Sequence, residues 1–290
     1  MPIAKFGIGI TCWNEPEYLA QCLATLAAND LRGVDVHVFQ DGTTCHITSE
    51  QRGDPAKVAA NRRIFDDCGI ESKHWHEQGR NVGYYNNRFT MLNMLGECYD
   101  AFLALESDVI VGPNCVRVIR KLIKQFGDDE RVGLISPSMK LWCKPEQVDD
   151  NWDAVLLNDG RTSRLCIEAM TAATWRAIQP NYKEYGAVIG RVPYTQIGQS
   201  ETREAVRRWA ISKGSDLLEV SGDTALLRAI LLAGKQRMFC VVNRATNIGD
   251  HGMNCTPAIL AQLGDGHQTI HESERETKIS KYRIVEGQTE

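Results

Sequence analysis

AFLALESDVIVGPN, residues 101–114, is the stretch on which the fold turns. Ala101 to Leu105 is a continuous apolar run of the kind buried on both faces of a sheet, and it stops abruptly at Glu106-Ser107-Asp108. Pro113 suits the first turn of a helix carrying Val116, Ile119, Leu122, Ile123 and Phe126 at helical spacing, and Val132 to Ile135 returns as a strand. Upstream, the same alternation repeats. Lys5 to Cys12 reads as a buried strand, and Pro16 opens a helix with Leu19, Cys22, Leu23 and Leu26, closed by Asn29-Asp30 and Gly33. VDVHVF at 34–39 is a second strand running into the turn residues Asp41-Gly42. Asp54 caps a helix through about Asp67, His74 to Glu77 forms a short strand, and Phe89, Leu92, Met94 and Leu95 have helix period. Strand and helix in alternation predict a parallel sheet flanked by helices.

Downstream the pattern weakens. Residues 136–163 and 182–199 read as long irregular segments, of the kind that serves as binding or lid loops or as plain surface insertions. Met238 to Val242 is a further apolar strand, and the last dozen residues read as a frayed polar tail. The expected organisation is one α/β domain: 1–135 as one half, 136–260 as the other, and 261–290 as a C-terminal segment.

The chain has 290 residues, 43% of them hydrophobic, enough for a sizeable core. Its formal net charge of −4 sets up no global field that would concentrate it on nucleic acid or anionic lipid. No run reaches the roughly 18 apolar residues a membrane span needs, and Arg228 interrupts the best candidate, Ala225 to Ala233. The N-terminal run is broken by Gly7 and Gly9 and has no basic lead, so a strand is expected there and not a signal sequence. Ten cysteines stand at wide spacings without a CxxC pair. Cys22, Cys98, Cys115 and Cys240 lie in apolar surroundings, which suits reduced, buried thiols in a cytoplasmic setting.

In open α/β sheets, ligands bind at the carboxyl ends of the strands. There the chain places Thr11, Asn14 and Glu15, then Asp41, then Glu106-Ser107-Asp108. Two carboxylates at i, i+2 after a buried strand can anchor a hard divalent cation, which in turn neutralises a diphosphate. Taken alone, the same tripeptide is an ordinary turn. Neither G-x-G-x-x-G, a P-loop, HExxH nor G-x-S-x-G is present, which disfavours dinucleotide, P-loop, zinc-protease and serine-hydrolase chemistry. Nucleotidyl transfer, or sugar binding without catalysis, stays open on the same layout.

ALESDVIVGPN at 104–114 resembles the aspartate-x-aspartate region of GT-A glycosyltransferases, family 2 in particular. It is also similar to the acidic motif of the N-acetylglucosaminyltransferase I group, with Glu106 in place of the first aspartate. GIGITCWNEPEYLAQCLATL at 7–26, VFQDGTT at 38–44, RNVGYYNNRF at 80–89, VSGDTALLRAILLAGKQ at 220–236 and NRATNIGDHGMN at 243–254 resemble further family segments in the same order. The resemblance covers about 3–135 and 165–256. It implies a GT-A, Rossmann-like domain that moves a sugar from a nucleoside-diphosphate donor, UDP-sugar favoured, to a hydroxyl acceptor with Mn2+ or Mg2+. It implies Asp108 and His251 as metal ligands and Asp223 as catalytic base of an inverting reaction. Thr11, Asn14, Glu15, Asp41, Asn81, Gly83, Arg88, Glu106 and Ser107 are implied around the donor, Asp41 against its base or ribose.

Asp223 also reads as part of a helix N-cap, Ser221-Gly222-Asp223, and Arg88 as either a phosphate or a carboxylate partner. The lack of an anchor and of a disulfide framework favours a bacterial or viral cytoplasm. The acceptor is a glycan, lipid, protein or hydroxylated DNA base. For the last, Arg203, Arg207, Arg208 and Trp209 would meet phosphate, although a solvated helix face is the simpler expectation.

Overall fold

The computed structural model describes residues 4–138, 145–159, 166–189, 192–250, 270 and 274–285. In chain order the elements are β1 (Phe6–Cys12), α1 (Pro16–Ala27), β2 (Val34–Gln40), α2 (Pro55–Asp67), β3 (Lys73–Glu77), α3 (Gly83–Cys98), β4 (Ala101–Glu106), β5 (Val109–Val111), α4 (Cys115–Phe126) and β6 (Val132–Ser136). Then come β7 (Ala154–Asn158), β8 (Ile167–Thr171), α5 (Ala172–Ile189), α6 (Ser200–Ser212), α7 (Gly222–Leu232), β9 (Gln236–Cys240), β10 (Ala245–Asn247), α8 (Arg275–Lys278) and β11 (Arg283–Val285).

Among the described residues nine strands form one sheet in the order β11-β7-β9-β6-β8-β4-β1-β2-β3, with β5 and β10 paired separately. β1 runs parallel to both β2 and β4, β2 to β3, β6 to β9, and β7 to β11. Within this sheet the antiparallel pairs are β4 with β8, β6 with β8 and β7 with β9, and the separate β5–β10 pair is antiparallel too. This is the α/β class expected, with a mostly parallel sheet flanked by helices. One core, under α1, α2 and α4, takes Phe6, Ile8, Ile10 and Cys12 from β1; the other, under α3, α5, α6 and α7, takes Phe102 and Ala104 from β4. Gly7 and Gly9 face α3, where a Cβ would fall 2.6 Å from Tyr99 and 2.6 Å from Leu95. The GIGI repeat is therefore what lets α3 lie close on the central strand.

Several expectations are corrected. The irregular stretch 136–163 contains β7, and β8 follows it in the centre of the sheet between β4 and β6. α5 runs through Pro180 to Ile189, so only 192–199 of the second irregular stretch lacks α-helix among the described residues. α3 starts at Gly83, a full turn and more before Phe89. β9 ends at Cys240, two residues before the expected Val242. The tail is not frayed throughout, because β11 extends the sheet beside β7 and Tyr282 is buried. Cys98 is exposed, whereas Cys22, Cys115 and Cys240 are buried, and all eight described cysteines are free.

Among the described residues no helix is long and apolar enough to cross a membrane. On α6, Arg203, Arg207 and Arg208 are exposed. Trp209 instead packs inward, donating to Glu184 Oε2 at 3.2 Å with the Arg228 guanidinium 5.2 Å from its ring centre. That is a solvated helix face whose aromatic ring is already in use.

Candidate active site

From β1 the chain winds outward through β2 and β3, then returns to place β4 on the other side of β1. The crevice at the carboxyl ends of β1 and β4 is thus the topological switch point, where ligands of such sheets bind. Thr11 stands opposite Glu106 in register. The Ser107 N–H donates to the Thr11 carbonyl at 3.0 Å, and Thr11 Oγ1 to the Leu105 carbonyl at 3.4 Å. Asn14 and Glu15 follow β1; Asn14 Oδ1 accepts the Asp54 N–H at 2.8 Å, and Asp54 in turn caps α2.

Asp108 lies in the turn between β4 and β5, which is pinned from the far end of the chain. β10 pairs antiparallel with β5, and the Ile248 N–H donates to the Asp108 carbonyl at 2.7 Å. A Cβ on Gly249 would fall 2.2 Å from Asp108 Oδ2, so only glycine lets this strand end pass over the carboxylate. Asp250 is held by Tyr18, whose hydroxyl donates to its Oδ1 at 2.5 Å. His251 follows Asp250 but lies outside the described residues.

α3 and α7 bring the remaining charge. Tyr84 and Arg88 sit at i, i+4 on α3 and so share a face. Arg88 Nη1 donates to Tyr84 Oη at 2.7 Å and to Glu106 Oε1 at 3.2 Å, while Nη2 pairs with Glu168 of β8. Tyr84 Oη lies 2.7 Å from Glu106 Oε1 and 3.0 Å from Asp223 Oδ1. The cap of α7 is Ser221, which accepts the Thr224 N–H at 3.0 Å. Asp223 is in the first turn, where a carboxylate is favoured by the helix dipole and is not consumed as the cap.

Crowded acids set the electrostatics. Burial, then repulsion from Asp223 and Asp108, pushes the Glu106 carboxyl well above its ordinary range. Glu15 moves the same way through burial and the charge on Asp108. The Cys166 thiol is raised by burial and by Glu106, Asp223 and Asp108. Such a negative centre of hard oxygens suits Mg2+ or Mn2+. Among the described residues no three His, Cys, Asp or Glu side chains form a metal cage. The carboxylates gathered here that could hold such a cation, with ligand phosphates and water completing its shell, are Glu15, Glu106 and Asp108.

A second cluster lies at the end of β2. Asp41 Oδ1 accepts the N–H groups of Gly42 and Val82, at 2.9 and 2.8 Å, and Oδ2 accepts Asn81 Nδ2 and the Gly83 N–H, at 2.9 and 3.0 Å. A carboxylate has about four lone-pair sites, and all are filled, which leaves the base or ribose contact expected of Asp41 without an acceptor. Asp41 instead clamps the start of α3, where Gly83 has φ +81°. Burial pushes its carboxyl up to about 6, against the pull of the three backbone N–H groups.

Thr11, Asn14, Glu15, Glu106, Ser107 and Asp108 thus gather at the switch point, and Arg88 and Asp223 join them through Tyr84. Of its two expected kinds of partner, Arg88 here meets carboxylates, Glu106 and Glu168. Tyr84 and Glu168 were not singled out from the sequence. The i−4 spacing of Tyr84 from Arg88 was its only local signal, and Glu168 showed only as one acid in an apolar pentapeptide.

No protein-family model matches the chain, and no curated protein does. Solved structures similar to it include the mannosyltransferase PcManGT from Pyrobaculum calidifontis in complex with GDP-Man and Mn2+, at 12% identity over 72% of this chain and 53% of that one, with a TM-score of 0.40. S. aureus TarS 1–349 is similar at 13% identity over 79% and 71%, with a TM-score of 0.45. Its complex with UDP-GlcNAc is similar at 13% identity over 77% and 70%, with a TM-score of 0.47. The chain spans about half the length of the mannosyltransferase.

Proposed function

We propose that the chain is a metal-dependent, inverting glycosyltransferase that moves a hexosyl or N-acetylhexosaminyl group from a nucleoside-diphosphate sugar, UDP-sugar favoured, to a hydroxyl acceptor. The observation that carries this reading is the meeting of Glu106, at the end of β4, with Asp223 of α7 through Tyr84 at the switch point, beside Asp108 of the turn that follows β4. Asp108 is the anchor for Mn2+ or Mg2+, with His251 as a further ligand. When bound, the cation supplies positive charge for the departing diphosphate.

The chain's own groups do the rest. Arg88 holds Glu106 at the β4 end, and Glu15, Asn14, Ser107 and Thr11 line the donor side of the crevice. Asp223 takes the acceptor hydroxyl proton as its oxygen bonds to the anomeric carbon and the bond from that carbon to the diphosphate oxygen breaks. The acceptor belongs to the glycans, lipids, proteins or hydroxylated DNA bases. The exposed arginines of α6, with Trp209 turned inward, support nucleic acid least.

Purified protein with Mn2+ and a panel of nucleotide sugars, read by nucleoside diphosphate release, tests the proposal. Turnover of one donor, lost in excess chelator and lost together with metal-dependent donor binding in Asp108→Asn, is the expected result. Full turnover in chelator overturns the metal assignment, and no turnover of any donor overturns the reaction.

A further inference from the structure

Tyr84 joins the acid of β4 to the acid of α7, and it belongs to neither element. Its hydroxyl accepts from Arg88 Nη1 at 2.7 Å and faces Glu106 Oε1 at 2.7 Å and Asp223 Oδ1 at 3.0 Å. The ring is fixed as firmly as the hydroxyl. The Arg88 guanidinium carbon lies 5.6 Å from its centre, and a Cβ on Gly222, the first residue of α7, would fall 2.5 Å from Cε1. α7 therefore begins in contact with this ring, and Asp223 follows within the same turn.

A phenol has one proton and two acceptor positions. Arg88 occupies one acceptor position, so the single proton serves two carboxylate oxygens, and all three groups are confined to one small volume. The ring could merely fill space between α3 and α7. An aromatic filler needs no hydroxyl, however, and this one lies within hydrogen-bond distance of a guanidinium and of two acids from distant parts of the chain.

We infer that Tyr84 is a positioning residue: its hydroxyl fixes the carboxylate of Asp223 relative to Glu106 at the end of β4, and so relative to the anomeric carbon. This rests on the glycosyl-transfer reading above. Misplacing a reacting group by about 1 Å can cost on the order of 100-fold in rate, so one hydroxyl is enough to matter.

Kinetics of the parent, Tyr84→Phe, Asp223→Asn and the double variant test it, with nucleoside diphosphate release as readout. Phenylalanine keeps the ring on Gly222 and removes only the oxygen. Tyr84→Phe is expected to lower kcat by roughly 10- to 100-fold while the donor KM stays within about 3-fold. Added to Asp223→Asn it should cost nothing more, since residues acting as one unit are not additive. Gly222→Ala is a second probe, because its methyl group presses the intact hydroxyl off the acids and should give a kcat loss of the same kind.

A Tyr84→Phe variant with parental kcat, a loss confined to KM, or a loss that multiplies onto Asp223→Asn would overturn the inference. If the parent turns over and Asp223→Asn is crippled while Tyr84→Phe is not, Tyr84 alone loses its role. If the parent releases no nucleoside diphosphate, the reaction itself is wrong and this inference falls with it.

Discussion

Two buried arginines each hold a buried glutamate, and they differ in where the rest of the guanidinium goes. Arg244, ahead of β10, pairs with Glu276 of α8 and also donates to the backbone carbonyls of Val242 and Trp152. Tyr282 closes the group by donating to Glu276 Oε2 at 3.1 Å. Arg88 pairs with Glu168 through Nη2, but its Nη1 donates to Tyr84 and Glu106, side chains that end at the switch point. A buried ion pair costs desolvation in either place. At Arg244 the result is a closed latch that holds the C-terminal segment against β10, and so indirectly against the Asp108 turn. At Arg88 the same cost sets the geometry of groups that face the crevice.

The largest expected effect lies at the open end of the Arg88 network. Asp223→Asn should lower transfer by roughly 100- to 10,000-fold with little change in donor affinity. Folding should survive because Ser221 caps α7, and a parental rate would move the base elsewhere. Next come the glutamates themselves. Glu168→Leu and Glu276→Leu each remove the fully buried carboxylate partner of an arginine and should cost about 3–5 kcal/mol in urea unfolding. Only Glu168→Leu should also lower turnover per folded molecule, because Arg88 loses its anchor below Glu106. Equal turnover losses in the two variants would erase the distinction between latch and site.

Gly249→Ala is a smaller step that links the two regions. Its methyl would land on Asp108 Oδ2, so about 1–3 kcal/mol of overpacking cost is expected, together with weaker Mn2+-dependent donor binding by calorimetry. Unchanged binding would mean that the β10 end and the Asp108 carboxylate are independent.

The smallest effect contrasts both arginine pairs with the buried imidazole of His37. His37 Nδ1 lies 2.9 Å from His76 Nε2, and His37 Nε2 lies 2.5 Å from Tyr99 Oη, which donates to Asp35 Oδ2 at 3.0 Å. Burial, then the charges of His74 and His76, lowers the His37 pKa to about 4 from its ordinary 6.5. The unfolded chain thus binds this proton more readily, so stability present above pH 6.5 is lost as pH falls toward 4. His37→Phe should flatten that slope in unfolding measured at several pH values, and an unchanged slope would assign the titration to other groups.

The comparison also marks how far the sequence reached. β1, α1, β2, α2, β4, α4 and β6 were legible because apolar runs and helical spacing are local and their caps and prolines stand beside them. The carboxyl-end acids Glu15, Glu106 and Asp108 followed from chain order alone. β8 was not legible, because IEAMT carries an acid at its centre and belongs in a strand only once Arg88 neutralises Glu168. β11 was hidden for a like reason: RIV is too short to signal a strand until β7 offers it an edge.

By itself, then, the sequence determined the alternating layout, the half of the sheet built on β1 and β4, and the acids at its carboxyl ends, since each depends on neighbours a few residues away. Only the tertiary structure decided that Asp41 is consumed as a clamp, that Arg88 serves carboxylates, and that Asp223 meets Glu106 through Tyr84. Tyr84 and Asp223 are 139 residues apart. Their contact depends on how α3 and α7 pack against the same face of the sheet, and no local pattern of residue types encodes that packing.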